Sequence, residues 1–475
     1  MVARNATTET EALVIGAGPG GYVAAIRAAQ KGVDTTLVEK DAYGGACLNR
    51  GCIPSKALIT ASGLAHEAGT AESMGIHADP AVDLARMTEW KDGVVDRLTG
   101  GVEKLCKANG VTLVPGAARF VDDHTVRVAR DGNDQEPTSI EFEHAVVATG
   151  SRPVEIPGFS FGEDHIWSSA AALAADSVPE RLVVVGGGYI GMELATVYAK
   201  LGADVTVVEL LDDILDPYED DVKRVVRRRA EALGIEFHFG EDATGWSPAG
   251  DGGYLVHTET EAGETPNYAA DKVLVAVGRR PVTDGLALEN AGVETDDRGF
   301  IETDDRTRTA VESVHAVGDV AGDPLLAHAA SKEGIVAAEV IAGESASLGY
   351  QAVPAAVFTD PEIGTVGMTE ADAEAAGFEV AVGEMPFHAS GRALTTGHTD
   401  GFVRLVADAD DGTVLGGQIV GPEASELIAE VGLAVELGAT LEDVAATIHT
   451  HPTLAEAVME AAENAQGQAI HTLNR

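Results

Sequence analysis

Residues 11–39 read EALVIGAGPGGYVAAIRAAQKGVDTTLVE, and the order of residue types in this stretch decides the fold class. A short apolar strand, Ala12–Ile15, runs into Gly16, Gly18 and Gly21. Apolar residues at helical spacing follow, and a second strand, Thr35–Val38, ends on Glu39. Each part has a physical task. Gly16 permits a tight turn, Gly18 lets a pyrophosphate approach the backbone, and Gly21 lets helix and strand pack closely. The helix N-terminus then faces the phosphates, and Glu39 can accept ribose hydroxyls. Three spaced glycines alone are common in turns. With strand, helix and terminal acid all in register, they mark a dinucleotide-binding unit.

The pattern returns at residues 181–209, RLVVVGGGYIGMELATVYAKLGADVTVVE, with Gly186, Gly188, Gly191 and Glu209 at matching offsets. In both copies the acid stands 23 residues after the first glycine. The duplication calls for two nucleotides on one chain, one of them suited to be a fixed cofactor. A carboxylate at Glu209 accepts the free 2′-hydroxyl of NAD and repels the 2′-phosphate of NADP, so NAD is the expected second nucleotide. The competing reading is an acid that faces its own helix and holds no ligand.

The whole chain, 475 residues, is long enough for about three domains. Its 45% hydrophobic content, 55 glycines and 5% aromatic residues suit an α/β protein with many tight strand-to-helix turns. No apolar run reaches the ~18–20 residues a bilayer requires. The polar start, Met1–Thr10, lacks the charged, apolar and small-residue segments of a signal peptide. A cytoplasmic protein without a membrane partner is expected. There are 77 acidic against 32 basic residues, a formal net charge of −45, and lysine supplies only ten of the bases. That balance repels nucleic acid and anionic membranes. The acids are spread along the chain, so they do not form an interaction tail. The expectation is a surface hydrated in concentrated salt, where the Debye length falls to ~3 Å, and hence a halophilic source.

Three cysteines remain, Cys47, Cys52 and Cys106. The first two lie in Gly44–Lys56, GGACLNRGCIPSK, with four residues between them and Gly45 and Gly51 as brackets. Pro54 is expected to limit any helix through the pair. At a helix start the positive end of the dipole would stabilise a thiolate, the form that attacks disulfides. Two buried thiols or half a metal site are the bland alternatives. No second Cys/His pair of zinc spacing accompanies them, and no metal is expected. Following a dinucleotide unit, the redox reading prevails. Cys106 sits on a helical-looking stretch, Gly93–Asn109, as a buried or spare thiol.

GGACLNRGCIPSK resembles the active-site segment of the pyridine nucleotide–disulfide oxidoreductases, usually GGTCLNxGCIPSK. The resemblance covers nearly the whole chain. It includes ATGS at Ala148–Ser151, AVGR at Ala276–Arg279, TAVESVHAVGDV at Thr309–Val320, LLAH at Leu325–His328 and HTHPTLAE at His449–Glu456. Ala46 departs from the family's Thr or Ser, so a hydroxyl that could contact the cofactor phosphate is absent. The resemblance implies bound FAD and NAD. On the flavin side it points to Gly16, Gly18, Gly21, Glu39 and Lys40, then Lys56, Ala118, Thr149, Gly150 and Ser151. Asp319 would bond the ribityl chain, with Leu325, Leu326, Ala327 and His328 along the flavin. On the NAD side it points to Gly186, Gly188, Tyr189, Ile190 and Gly191, then Glu209, Ala243 and Gly278, with Glu193 near the nicotinamide.

The same resemblance assigns roles in catalysis. His451 would be the base and Glu456 its orienting acid; the competing reading is a histidine–proline pair that caps a helix starting at Thr453. A dithiol must lose a proton before it attacks, which a neutral imidazole can accept near neutral pH. The substrate thiolate would attack Cys47, and Cys52 would leave as a thiolate against the flavin, with Lys56 stabilising negative charge there. Family members with a second C-terminal redox pair are excluded, since no cysteine follows Cys106. Members that use NADPH conflict with Glu209 and the acids after it. What remains is NAD-linked oxidation of dihydrolipoyl groups. The rivals are a related enzyme acting on another small disulfide and a structural or redox-sensing subunit of a 2-oxoacid dehydrogenase complex. An obligate homodimer is implied, with cysteines and base from different subunits, serving a lipoyl-bearing protein of a 2-oxoacid dehydrogenase or glycine cleavage complex. The expected architecture is α/β: two Rossmann-like domains, FAD-binding (1–152) and NAD-binding (153–276), a central segment (277–346) that completes the flavin site, and an α+β dimer-interface domain (347–475).

Overall fold

A computed structural model describes residues 7–130, 137–250 and 252–474; of the polar start, residues 1–6 lie outside the described residues. β1 (Thr7–Ile15) begins earlier than its apolar core suggested, because its polar outer half also pairs. α1 (Pro19–Gln30) crosses to β2 (Thr35–Glu39), parallel to β1 with Leu13 opposite Thr36. Ala12, Leu13, Val14 and Ile15 are all buried, as expected of a parallel strand covered on both faces. α2 (Gly45–Arg50), α3 (Cys52–Thr70) and α4 (Leu84–Ala108) follow, and β3 (Thr112–Pro115) adds beside β2. β4 (Ala117–Asp122) and β5 (Thr125–Ala129) form a hairpin that leads into β6 (Thr138–Val147), which lies parallel to β1 along nearly its whole length. Gly21 is required where α1 meets β1, because a Cβ there would collide with the Gly16 carbonyl.

β7 (Ser151–Pro153) leaves this unit for the second. There β8 (Ile166–Trp167), α5 (Ser169–Leu173), β9 (Arg181–Val185), α6 (Tyr189–Lys200), β10 (Asp204–Glu209), α7 (Asp220–Ala232) and β11 (Glu236–Phe239) rebuild the alternation. An antiparallel sheet of β12 (Glu241–Pro248), β13 (Tyr254–Thr260) and β14 (Asn267–Ala270) is inserted before β15 (Lys272–Val275) completes a parallel sheet ordered β11-β10-β9-β15-β8. β16 (Arg279–Pro281) pairs antiparallel with β7 on the way back, and β17 (Val314–Ala316) docks beside β6. α8 (Ala327–Ile341) then packs along α1 so closely that a Cβ on Gly334 would meet the Gly20 carbonyl.

The last unit is an antiparallel sheet of five strands, residues 355–357, 362–367, 380–386, 402–408 and 414–421, covered by helices Ala424–Leu437 and Glu456–Ala465. Buried Arg404 on this sheet meets Glu219 and Asp221 of the second unit as well as Glu384. Asp360 reaches Lys200 and Arg229 of the same unit. The fold is therefore the expected one: two Rossmann-like units and an α+β unit.

Three local expectations are corrected. The break between the cysteines comes at Gly51, not at Pro54, which sits in the first turn of α3 where its missing N–H costs nothing. The C-terminal helix starts at Glu456, so Thr453 does not open it. The helix that carries Cys106 begins at Leu84 rather than Gly93, because Asp83 caps it by accepting from the Arg86 N–H.

Candidate active site

Both glycine turns are built as their residue types dictate. Gly16 and Gly186 take positive φ, 100° and 106°, and a Cβ on either would strike a carbonyl of the neighbouring strand, at Ala148 or Ala276. The middle glycines differ. A Cβ on Gly188 would find nothing within 4 Å, and one on Gly18 only the Gly45 Cα at 4.0 Å. These two positions thus border open space at a helix N-terminus, the cradle a pyrophosphate requires. Glu39 accepts from the N–H groups of Ala17 (2.7 Å) and Asp41 (2.8 Å), and Glu209 from those of Gly187 (2.5 Å) and Leu211 (2.9 Å). The backbone fixes each carboxylate, and every oxygen keeps an acceptor site for a hydroxyl. Burial pushes the Glu39 carboxyl up, and the N–H bonds and Lys40 oppose the shift.

The cysteine segment docks on the first turn. Gly44 N–H donates to the Ala17 carbonyl at 2.8 Å, and Gly45 needs its bare Cα because a Cβ would lie 2.6 Å from Gly18. Cys47 rides on short α2, and Cys52 is the first residue of α3. All three cysteines are free thiols. The Cys47 thiol donates to the Cys52 sulfur, and with burial this drives its own acidity well down. That bond is the main reason why Cys52 is brought down to about 7; Lys56 assists, while burial and Glu193 oppose. Cys106 lies in the core, and burial pushes it up to about 11.

A cavity of about 520 Å³ joins these parts. Its walls include Gly16, Gly18, Glu39 and Lys40; Ala46, Cys47, Cys52 and Lys56; and Ala118, Thr149, Gly150, Ser151, Asp319, Leu325 and Ala327. Tyr189, Ile190 and Glu193, expected on the NAD side, line the same cavity. Glu193 is only 4% exposed; it accepts from Lys56 Nζ at 3.0 and 2.8 Å and from the Phe358 N–H at 2.9 Å. The Lys56 ammonium also lies 4.5 Å from the centre of the Phe358 ring.

Some expected residues lie elsewhere. Leu326 and His328 are not on the cavity wall. α8 starts at Ala327, and Ala327 and Ala330 face inward; one step of ~100° turns His328 outward, where its Nε2 meets the Pro354 carbonyl at 2.7 Å. Ala243 is buried among Val256, Phe159 and Val273 in the second unit's core. Gly186, Gly188, Gly191 and Glu209 gather at the second turn, and they and Gly278 lie outside the cavity. His451 is also outside, since no lining residue comes from beyond Ala330. Its side chain is 80% exposed, and its Nδ1 meets Glu456 Oε1 at 2.8 Å. Glu456 Oε2 accepts from the Thr453 N–H at 2.8 Å. Burial resists ionisation of Glu456, but the Thr453 N–H and His451 outweigh it and hold the carboxyl below its usual range. The neighbouring His449 pairs with Glu430 at 2.7 Å.

Sequence reasoning missed three residues. Arg279 lines the cavity and contacts Ser151; its presence in the quoted AVGR stretch was the available signal. Glu333 accepts from the Gly318 N–H at 2.6 Å, and Phe358 holds Glu193; neither carries a local pattern. Among the described residues no group of three or more His, Cys, Asp or Glu could hold a metal ion, and no helix is long and apolar enough to cross a membrane.

Residues 10–334 match the pyridine nucleotide-disulphide oxidoreductase family, and residues 353–462 match the dimerisation domain of the same family. The chain is 72% identical over 476 residues to the dihydrolipoyl dehydrogenase of Haloferax volcanii, with all of both chains covered. It is 66% identical over 475 residues to that of Halobacterium salinarum, again over the full length of both. Among solved structures it resembles LpdA from Mycobacterium tuberculosis, with a TM-score of 0.88 at 29% identity over 95% of this chain and 99% of that one. It also resembles the HOCl-induced flavoprotein disulfide reductase RclA from Escherichia coli, with a TM-score of 0.84 at 26% identity over 95% and 99%.

Proposed function

The chain belongs to the pyridine nucleotide-disulphide oxidoreductase family, and on that premise we propose that it oxidises dihydrolipoyl groups with NAD⁺, giving the lipoyl disulfide and NADH. The observation that carries the reading is the placement of Cys47 and Cys52 in one cavity with the first glycine turn, beside the pair that Lys56 makes with buried Glu193. Full-length relatives of 72% and 66% identity, named dihydrolipoyl dehydrogenase, support the choice of substrate.

The family's FAD and NAD fit the residues present: Gly18 and Gly188 leave open the space that two pyrophosphates need, and Glu39 and Glu209 stand ready for ribose hydroxyls. Thr149, Gly150, Ser151, Asp319 and Lys56 would hold the flavin end. When bound, FAD carries two electrons between the dithiol and NAD.

The chain's own groups handle sulfur and protons. With the pair oxidised, a substrate thiolate attacks Cys47 Sγ; the Cys47–Cys52 bond breaks and Cys52 leaves as a thiolate. The helix start and the Lys56 ammonium favour that leaving group. The substrate's second thiolate then attacks its own sulfur on Cys47. The lipoyl disulfide closes and Cys47 departs to take up a proton. His451 receives the protons that the substrate thiols release, and Glu456, bonded to Nδ1, leaves Nε2 as the accepting nitrogen. The 80% exposure of His451 and the dimerisation-domain match support a homodimer in which each base serves the partner's cysteines. The reaction partner is dihydrolipoamide or a lipoyl-bearing protein of a 2-oxoacid dehydrogenase or glycine cleavage complex.

The test is an assay of the yellow purified protein. It should reduce NAD⁺ but not NADP⁺ with dihydrolipoamide, and the Cys47→Ser form should not. Preferential oxidation of NADPH by glutathione disulfide would refute the substrate assignment.

A further inference from the structure

The two crossings between the dinucleotide units lie side by side. β7 leaves the first unit and β16 returns from the second, with Arg279 opposite Pro153 and Pro281 opposite Ser151. Across this ribbon Arg279 grips Ser151 twice: Nε donates to Ser151 Oγ at 2.7 Å and Nη2 to the Ser151 carbonyl at 2.8 Å. A guanidinium has donors only, so Ser151 Oγ must accept from it. The single hydroxyl proton of Ser151 is then directed to Asp319 Oδ2, which it contacts. The relay runs one way, from Arg279 through Ser151 to Asp319, and it leaves Asp319 Oδ1 free of Ser151. Asp319 follows β17 on a short 3₁₀ turn and lines the cavity with both other members.

We propose that Arg279 is a positioning residue for the flavin. Through Ser151 it fixes the orientation of Asp319, and it ties that carboxylate to the strand by which the second nucleotide unit is attached. This rests on the reading of the cavity as the FAD site. Seating of the flavin is then coupled, through one guanidinium fork, to the strand that returns from the NAD-binding unit. Lysine would supply the charge but not the two directed donors. The Nε sits 3.9 Å from Asp319 Oδ2, too far for a direct hydrogen bond, so the hydroxyl is the necessary link.

The experiment compares Arg279→Met, Arg279→Lys, Ser151→Ala and the Arg279→Met/Ser151→Ala double variant as full-length protein. FAD affinity is read by titrating apoprotein and following flavin fluorescence, the flavin midpoint potential is read on the holoenzyme, and apoprotein melting by circular dichroism. Arg279→Met and Ser151→Ala should each weaken FAD binding about tenfold and shift the potential, without lowering the apoprotein melting temperature. Arg279→Lys should recover only part of the loss. The double variant should be no worse than either single change, since both break one relay. Unchanged FAD affinity in Arg279→Met, losses that multiply in the double variant, or losses that only track apoprotein melting would each overturn the proposal. Wild-type apoprotein that takes up no FAD would instead sink the cavity assignment beneath it.

Discussion

Lys56 Nζ meets both carboxylate oxygens of Glu193, at 3.0 and 2.8 Å, and so joins the helix that starts at Cys52 to the helix that opens the second dinucleotide unit. The Phe358 N–H adds a third bond, from the C-terminal unit, to the same buried carboxylate. Three parts of the chain thus converge one helical turn beyond Cys52.

This junction tunes the acidity of Cys52, which the bond from Cys47 chiefly sets. In the reduced apoprotein, alkylation of Cys52 by iodoacetamide should follow a titration centred near pH 7. Lys56→Met should move the midpoint up, because a cation that favours the thiolate is lost, and Glu193→Gln should move it down. A midpoint in all three proteins at the ordinary thiol value, ~8.5, would contradict the assignment.

The exposed base should be separable from the cysteines by subunit. His451→Gln should lower turnover with dihydrolipoamide about 10²–10⁴-fold. Random reassembly of Cys47→Ser and His451→Gln subunits should restore about a quarter of wild-type activity, because each mixed dimer regains one complete site. No recovery would mean that base and cysteines act within one chain.

The glycines separate binding from folding. Gly18→Ala and Gly188→Ala create no collision, so the melting temperature of the apoprotein should hold. The first should release FAD, and the second should raise KM for NAD⁺ with flavin retained. Gly21→Ala and Gly191→Ala drive a methyl into the carbonyls of Gly16 and Gly186, and should lower soluble yield and melting temperature.

Acid should attack the first unit through His315. It is buried, its Nδ1 lies 3.1 Å from Thr307 Oγ1, and burial with nearby His144 lowers it from 6.5 to about 4. The folded state binds the proton less well than the unfolded chain. Stability from the neutral ring is therefore full above about pH 6.5 and is lost as the pH falls toward 4, a change of at most ~3 kcal/mol. Denaturant titrations across that window should show the slope, and His315→Asn should flatten it.

Salt should have the opposite effect to acid. With a net charge of −45, self-repulsion opposes compaction, and molar KCl screens it. Melting temperature and dihydrolipoamide activity should both rise from dilute buffer into molar KCl. Greatest stability in dilute buffer would end the halophilic reading, which the Haloferax and Halobacterium relatives support.

Local spacing determined the two glycine turns, the acids that close them, the cysteine pair and the fold class. Each depends on a residue type at a fixed offset along a strand or helix, and periodicity makes such offsets visible in one dimension. Tertiary structure alone decided that Glu193 belongs with Lys56, that Arg279 grips Ser151, that His328 turns away from the cavity and that Ala243 lies in the core. These relations join segments far apart in the chain, or depend on where a helix begins or which face of a strand packs inward. Chain separation carries no trace of them; they exist only because parallel sheets, packed through bare glycine backbones, bring distant segments within hydrogen-bonding reach.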